Sequence, residues 1–207
     1  MSGPLADLRM LIERDAAMAR AFRIAGRPVS RVRPPGFASL LRIIVNQQVS
    51  QHAGQAIWRR LEDGLGEVSP ESILGSPALR LCGFGLSRAK ARYARALAGM
   101  IVNGELDLDR LRRLDDDAAR AELTRVPGIG RWTADIYLMF ALGRPDVWPS
   151  GDLALAVAAG RLLGRKRRPT PKQLEAIGNA WRPWRTAAAL MLWHFYRRRE
   201  PGRQTGT

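Results

Sequence analysis

Cysteine and histidine are almost missing from this 207-residue sequence, and each scarcity closes off a class of function. A single cysteine, Cys82, excludes a disulfide framework, an iron–sulfur cluster and a cysteine-based zinc site. Two histidines, His52 and His194, are too few for a histidine-rich metal centre, so neither a catalytic metal nor a cofactor is expected. No apolar run reaches the ~18 residues of a membrane span. The opening MSGPLADLRM lacks a signal-peptide h-region, so the expected setting is a reducing cytoplasm, at the nucleoid. Period-two alternation is also missing, which argues against sheet and for an all-α fold.

What the sequence has in excess is positive charge. Thirty-four Lys and Arg face 19 Asp and Glu, a net charge of +15. All the basic residues except Lys90, Lys166 and Lys172 are arginines. With 46% apolar residues the chain has a core to bury, so the charge is the surplus of a folded protein and not the mark of disorder. Solubility needs neither this sign nor this size, and a polyanionic partner follows. Nucleic acid is favoured over an anionic membrane, because no basic amphipathic tail or lipidation site is present.

Helical spacing runs through most of the chain. Leu5, Leu8, Leu11, Ile12, Ala16, Ala19 and Phe22 predict one amphipathic helix, and Phe37 to Val45 a second after Pro34-Pro35-Gly36. Ser50 is the expected N-cap of a third, burying Ala53, Ile57 and Leu61. Ser69-Pro70, Ser76-Pro77, Ser87 and Thr170-Pro171 read as further helix starts. Helices are predicted over Asp115 to Arg125, from the following turn to about Gly143, over Leu153 to Leu163, and from near Pro183 through Tyr196. The basic loop Arg165 to Arg168 and the tail Arg197 to Arg199 read as solvated charge with mild steering of a polyanion.

The turn Val126-Pro127-Gly128-Ile129-Gly130 carries the most information. Proline fixes the chain direction, and the glycines permit positive φ and close approach of another backbone. The helix that follows aims unpaired N–H groups and its positive dipole end outward, which suits a nucleic-acid phosphate and reads no base. Such a turn also serves as plain helix-to-helix connection. Asp152, before the apolar run from Leu153, is a natural N-cap.

Several separated segments, in order, resemble the helix–hairpin–helix DNA glycosylases, specifically the 3-methyladenine DNA glycosylase II branch that repairs alkylation damage. They are Ile43 to Ser50, Gly85 to Tyr93, Val126 to Ala134, Trp148 to Leu153, and Trp181 to Arg185 with Trp193. The resemblance runs from about Leu11 to Tyr196, and the few residues before Phe37 match the short, purely helical form without the added N-terminal α/β domain. It implies two helical lobes with the hairpin and Asp152 at the cleft between them. Residues 38–115 would form one lobe, 1–37 with 116–199 the other, and 200–207 a tail.

It also implies roles. Family members flip the damaged nucleotide from duplex DNA and cleave its glycosidic bond. By position, Asp152 is the catalytic carboxylate, while Asp135 and Asp146 do not match. Trp132 and Trp193 match the aromatic base pocket, with Tyr137 and Trp148 as neighbouring candidates; electron-rich faces suit positively charged alkylated purines. Trp58, Trp181 and Trp184 are expected to pack internally. Gln48 matches the residue that fills the gap left by the flipped base, with Ser50 beside the minor groove. Gly128, Ile129, Gly130, Arg131 and Thr133 match the DNA-contacting hairpin, and the carbonyls of Thr124, Val126 and Ile129 match a monovalent-cation site. Trp132 stands where strand-cutting relatives have a lysine nucleophile, so hydrolysis without lyase activity is implied. His52, His194 and Cys82 have no claim to the site, and Cys82 reads as a small core residue. The expected partner is double-stranded DNA bearing damaged bases, and the expected state a monomer. The rivals are a glycosylase for other damaged bases and a non-catalytic DNA-binding module, which Asp152 opposes.

Overall fold

A computed structural model describes residues 7–198, and every regular element among them is helical. The chain opens with Leu8–Arg14 (α1) and Ala16–Ala25 (α2). The one long helix expected here is two, because Asp15 leaves helical geometry to serve both ends of a bridge. Its Oδ1 accepts the Met18 N–H at 2.7 Å and caps α2, and its Oδ2 accepts the indole N–H of Trp181 at 3.1 Å. Leu5 lies outside the described residues.

After an irregular stretch come Phe37–Val45 (α3), Gln51–Leu65 (α4), Pro70–Leu74 (α5), Ala78–Gly83 (α6), Arg88–Val102 (α7), Asp116–Thr124 (α8) and Arg131–Phe140 (α9), with a 3₁₀ turn at Arg110–Arg113. Most starts are capped as the sequence predicts. Ser50 accepts from Ala53, Ser69 forms a reciprocal capping box with Ser72, and Ser87 accepts from Lys90; Asp115, expected as the first residue of its helix, is instead its N-cap and accepts from Ala118. Such a cap is worth about 1 kcal/mol. Ser76 is the exception: Pro77 takes the N-cap position of α6 without a side-chain cap, and Ser76 is buried with its carbonyl accepting from Arg95 at 2.6 Å. Helix α7 packs against α3, α5 and α6 through a small-residue face of Ala91, Ala94 and Ala98 around Leu97. Cys82 is half-buried, not enclosed.

The last helices are Leu153–Leu162 (α10), Pro171–Gly178 (α11) and Arg185–Arg197 (α12), with Asn179–Trp181 a 3₁₀ turn. Thr170 opens α11 with a capping box to Gln173. Helix α12 packs against α1, α2 and α10. No helix among the described residues is long and apolar enough to cross a membrane.

The fold divides into two compact units, Arg33–Leu142 and the remainder, formed by residues through Val32 and from Gly143 onward. The division differs from the expected one in the place of α8 and α9, which lie with residues 33–115. Helix α9 packs on α8 and α3, the Arg33 N–H donates to the Phe140 carbonyl at 2.8 Å, and the Gly36 N–H donates to the Tyr137 hydroxyl at 2.9 Å. The expected tail, 200–207, and Arg199 lie outside the described residues.

Candidate functional site

In the 33–142 unit the turn between α8 and α9 is tight and braced from beneath. The Ile129 N–H donates to the Val126 carbonyl at 3.0 Å, and both side chains are buried. Gly128 has φ +87, and a Cβ there would come within 2.3 Å of the Tyr93 ring, which α7 lays against the turn. Only glycine fits this position, for backbone and for space. The N–H groups of Gly128 and Gly130 meet no acceptor among the described residues, and Arg131 is exposed at the start of α9. At two of the expected DNA contacts a polar group is engaged within the protein. Thr133 is buried with its hydroxyl accepting from Gln47 Nε2 at 2.8 Å, and the Ile129 N–H is spent inside the turn. Both groups shape the hairpin from within.

The loop after α3 lies beside this hairpin. Gln48 is exposed with φ 55, the one non-glycine residue at positive φ among those described, and Ser50 is exposed at the N-cap of α4. Gln47 Nε2 also donates to the Gly128 carbonyl at 3.1 Å. Lys90 Nζ donates to the carbonyls of Val45 and Gln47 at 2.8 and 2.6 Å, and burial lowers its pKa below that of an ordinary lysine. Gln48, Lys90, Tyr93 and the hairpin line one open recess of about 490 Å³. Thr124, Val126 and Ile129 line it too; the Val126 carbonyl that serves the turn keeps a second lone pair for a cation.

In the other unit Asp152 is half-buried at the N-terminus of α10. Its Oδ1 accepts the Leu155 N–H at 2.7 Å and the Trp193 indole N–H at 3.0 Å, so the carboxylate is both cap and held group. Trp193 is buried, with the Arg31 guanidinium 5.5 Å from its ring centroid. The segment leading to Asp152 is fastened to α12. Arg185 donates to the Asp146 carboxylate at 2.8 Å and to its carbonyl at 2.6 Å, and the Thr186 hydroxyl donates to the Arg144 carbonyl at 2.7 Å. Asp146 is thus committed to Arg185 and Arg182, and Asp135 is buried against Arg120 at 2.7 Å.

The aromatic candidates separate. Trp132 is 38% exposed, and Trp193 touches the carboxylate. Tyr137 and Trp148 are not pocket residues. Tyr137 is fully buried with its hydroxyl bonded to Gly36, and Trp148 is 2% exposed, donates to the Leu174 carbonyl at 2.9 Å and packs edge-on to Trp181. Trp58 and Trp181 are buried as expected, and Trp184 is partly covered by Arg14. His194 is satisfied at the Ala25 carbonyl, 2.8 Å away, and His52 is exposed. Gln47, Lys90 and Tyr93 are the residues that the sequence reading passed over. Lys90 had one signal: a cation in the first turn of a helix opposes the helix dipole, so its amine is wanted elsewhere.

Residues 41–183, which contain the α3 loop, the hairpin and Asp152, match the family described as HhH-GPD superfamily base excision DNA repair protein. The chain belongs to this superfamily. Among its relatives, DNA-3-methyladenine glycosylase 1 of Schizosaccharomyces pombe is 31% identical over 76% of this chain and 71% of its own length. A Bacillus subtilis relative is matched over only 56% of its length. Two solved structures agree in fold with this HhH-GPD protein. DNA-3-methyladenine glycosidase of Bacillus halodurans is 32% identical, with TM-score 0.80 over 93% of this chain and 89% of its own. The S. pombe 3-methyladenine DNA glycosylase Mag1, solved with abasic DNA, is 27% identical, with TM-score 0.81 over 90% and 94%.

Proposed function

We propose that this protein is a monofunctional DNA glycosylase that flips out and hydrolytically removes alkylated bases of the 3-methyladenine type from double-stranded DNA in base excision repair. The observation that carries the reading is the Asp152 carboxylate, held by a helix N-terminus and an indole N–H in a member of this superfamily. The names of its relatives supply the substrate class.

The chemistry follows from charge. An alkylated purine is a cation, so breaking its bond to C1′ sends the electron pair to the base, which leaves neutral. The positive charge passes to the sugar. A carboxylate fixed at that point stabilises the oxocarbenium-like transition state, and it accepts the proton of the water whose oxygen bonds to C1′. Fixing matters because a carboxylate that need not reorient does more for the transition state than a mobile one.

Binding is the work of the other unit. Gly128 and Gly130 offer backbone N–H groups to a phosphate, Arg131 adds charge, and none of these contacts reads sequence. A monovalent cation on the carbonyls of Thr124, Val126 and Ile129 supplies a further positive charge toward that phosphate. Gln48 fills the vacated stack, with Ser50 at the groove, and Trp132 offers aromatic surface to the base. The protein acts as a monomer on nucleoid DNA in the cytoplasm.

The test is release of free bases from a panel of methylated, oxidised and mismatched duplexes, followed by inspection of the strand. Methylated purines are expected to be released, leaving alkali-labile abasic sites, no nick before alkali and no borohydride-trapped adduct. Trp132 offers no amine, and the Lys90 amine is engaged by two carbonyls. Release confined to oxidised bases, or a trapped covalent complex, contradicts the reading.

A further inference from the structure

Gln48 holds a left-handed backbone conformation that a residue with a Cβ adopts rarely and at some cost. Such a conformation persists only where neighbours hold it. The neighbours here are unusual for a surface loop. At the C-terminal end of α3 the carbonyls have lost their helical partners and the dipole is negative. Lys90 Nζ reaches across from α7 and takes two carbonyls there, those of Val45 and Gln47, so it pins the peptide just before Gln48. On the other side of the same residue, Gln47 Nε2 is bonded to the hairpin at the Gly128 carbonyl and the Thr133 hydroxyl. Tyr93, one turn beyond Lys90 on α7, packs under Gly128.

We propose that Lys90, with Gln47, is a positioning clamp that fixes the Gln48 loop to the hairpin, so that phosphate anchor and intercalating side chain move as one body. This rests on the reading of Gln48 as the residue that fills the gap. An ammonium suits the task because it donates to two carbonyls from one atom and answers the negative end of α3. A loop already in its bound shape loses less freedom when it enters the stack. The clamp therefore serves discrimination of a gapped stack from an intact one, not general attraction to DNA.

The test compares binding to a duplex carrying a tetrahydrofuran abasic analogue with binding to the undamaged duplex, across salt concentrations. Lys90→Met is expected to lower the preference for the abasic duplex roughly tenfold, the scale of a lost hydrogen bond to a charged group. The salt slope on undamaged duplex should stay put. Gln47→Met should show the same pattern from the hairpin side, and it carries the test if Lys90→Met does not fold. In a Gln48→Ala background, Lys90→Met should change the preference by less than about twofold, because there is no wedge left to position. Equal losses on both duplexes with a salt slope smaller by about one unit identify Lys90 as a phosphate contact and overturn the clamp. Full preference in folded Lys90→Met and Gln47→Met, beside a loss in Gln48→Ala, overturns the clamp and leaves the wedge standing. No loss of preference in Gln48→Ala overturns both.

Discussion

The hairpin and the Asp152 site divide labour between backbone and side chain in opposite ways. At the hairpin the groups offered to a ligand are backbone N–H groups of glycines, and side chains brace them: Tyr93 beneath Gly128, Gln47 on its carbonyl, Thr133 behind. At Asp152 the group offered is a side chain, and backbone braces it through the Leu155 N–H, with Trp193 as second support. Under the proposed function the contrast fits two tasks. Holding any DNA calls for contacts that ignore sequence, which backbone provides. Stabilising one developing charge calls for one ionisable group in a fixed place.

Substitutions can break that contrast, and the largest effect is expected at Asp152. Asp152→Asn keeps the cap, since asparagine is as good an N-cap as aspartate and its amide oxygen can still accept from Trp193. Thermal stability should barely move, while base release falls roughly 100-fold or more, the scale of one lost electrostatic stabiliser. Melting curves beside a methylated-duplex release assay check both halves.

Next comes the support of that carboxylate. Trp193→Phe keeps the ring and removes the N–H donor, so release should fall roughly tenfold with binding intact. Activity equal to wild type would mean that the Trp193 N–H is not what holds Asp152 in place. At the hairpin, Gly128→Val combines a forbidden φ with a collision against Tyr93, so affinity should drop roughly tenfold on damaged and undamaged duplexes alike. Titration of matched duplexes reads this directly. A loss confined to damaged DNA would remove the hairpin from the generic role. Smallest is Ser69→Ala, which should remove a cap worth about 1 kcal/mol and lower the melting temperature by ~3 °C without slowing release.

How far all this was legible in the sequence depends on the range of the interaction. Ser50, Ser69, Ser87 and Thr170 cap amides three residues away, and local pattern suffices to find them. The break at Asp15 was not legible, because its second oxygen is claimed by Trp181 from the far end of the chain. The same holds for Tyr137 and Trp148. An aromatic next to a functional motif looks the same in sequence whether it faces a ligand or donates to a distant carbonyl, as Trp148 does to Leu174. The N-cap role of Asp152 was legible because it directly precedes an apolar helical run. Lys90 and Gln47 were not, because their partners are backbone carbonyls and a hydroxyl brought near only by folding. Composition showed the positive charge but could not say which arginines are spent internally, as Arg185 and Arg120 are.

The division of labour is tested most directly by single-turnover release from methylated duplex as enzyme is raised to saturation, for Asp152→Asn and Gly128→Val side by side. Gly128→Val should recover the wild-type rate once enough enzyme is present, because only its affinity is impaired. Asp152→Asn should reach saturation at the wild-type enzyme concentration and plateau roughly 100-fold lower. An Asp152→Asn plateau at the wild-type rate, or a Gly128→Val rate that stays low at saturation, would contradict the account.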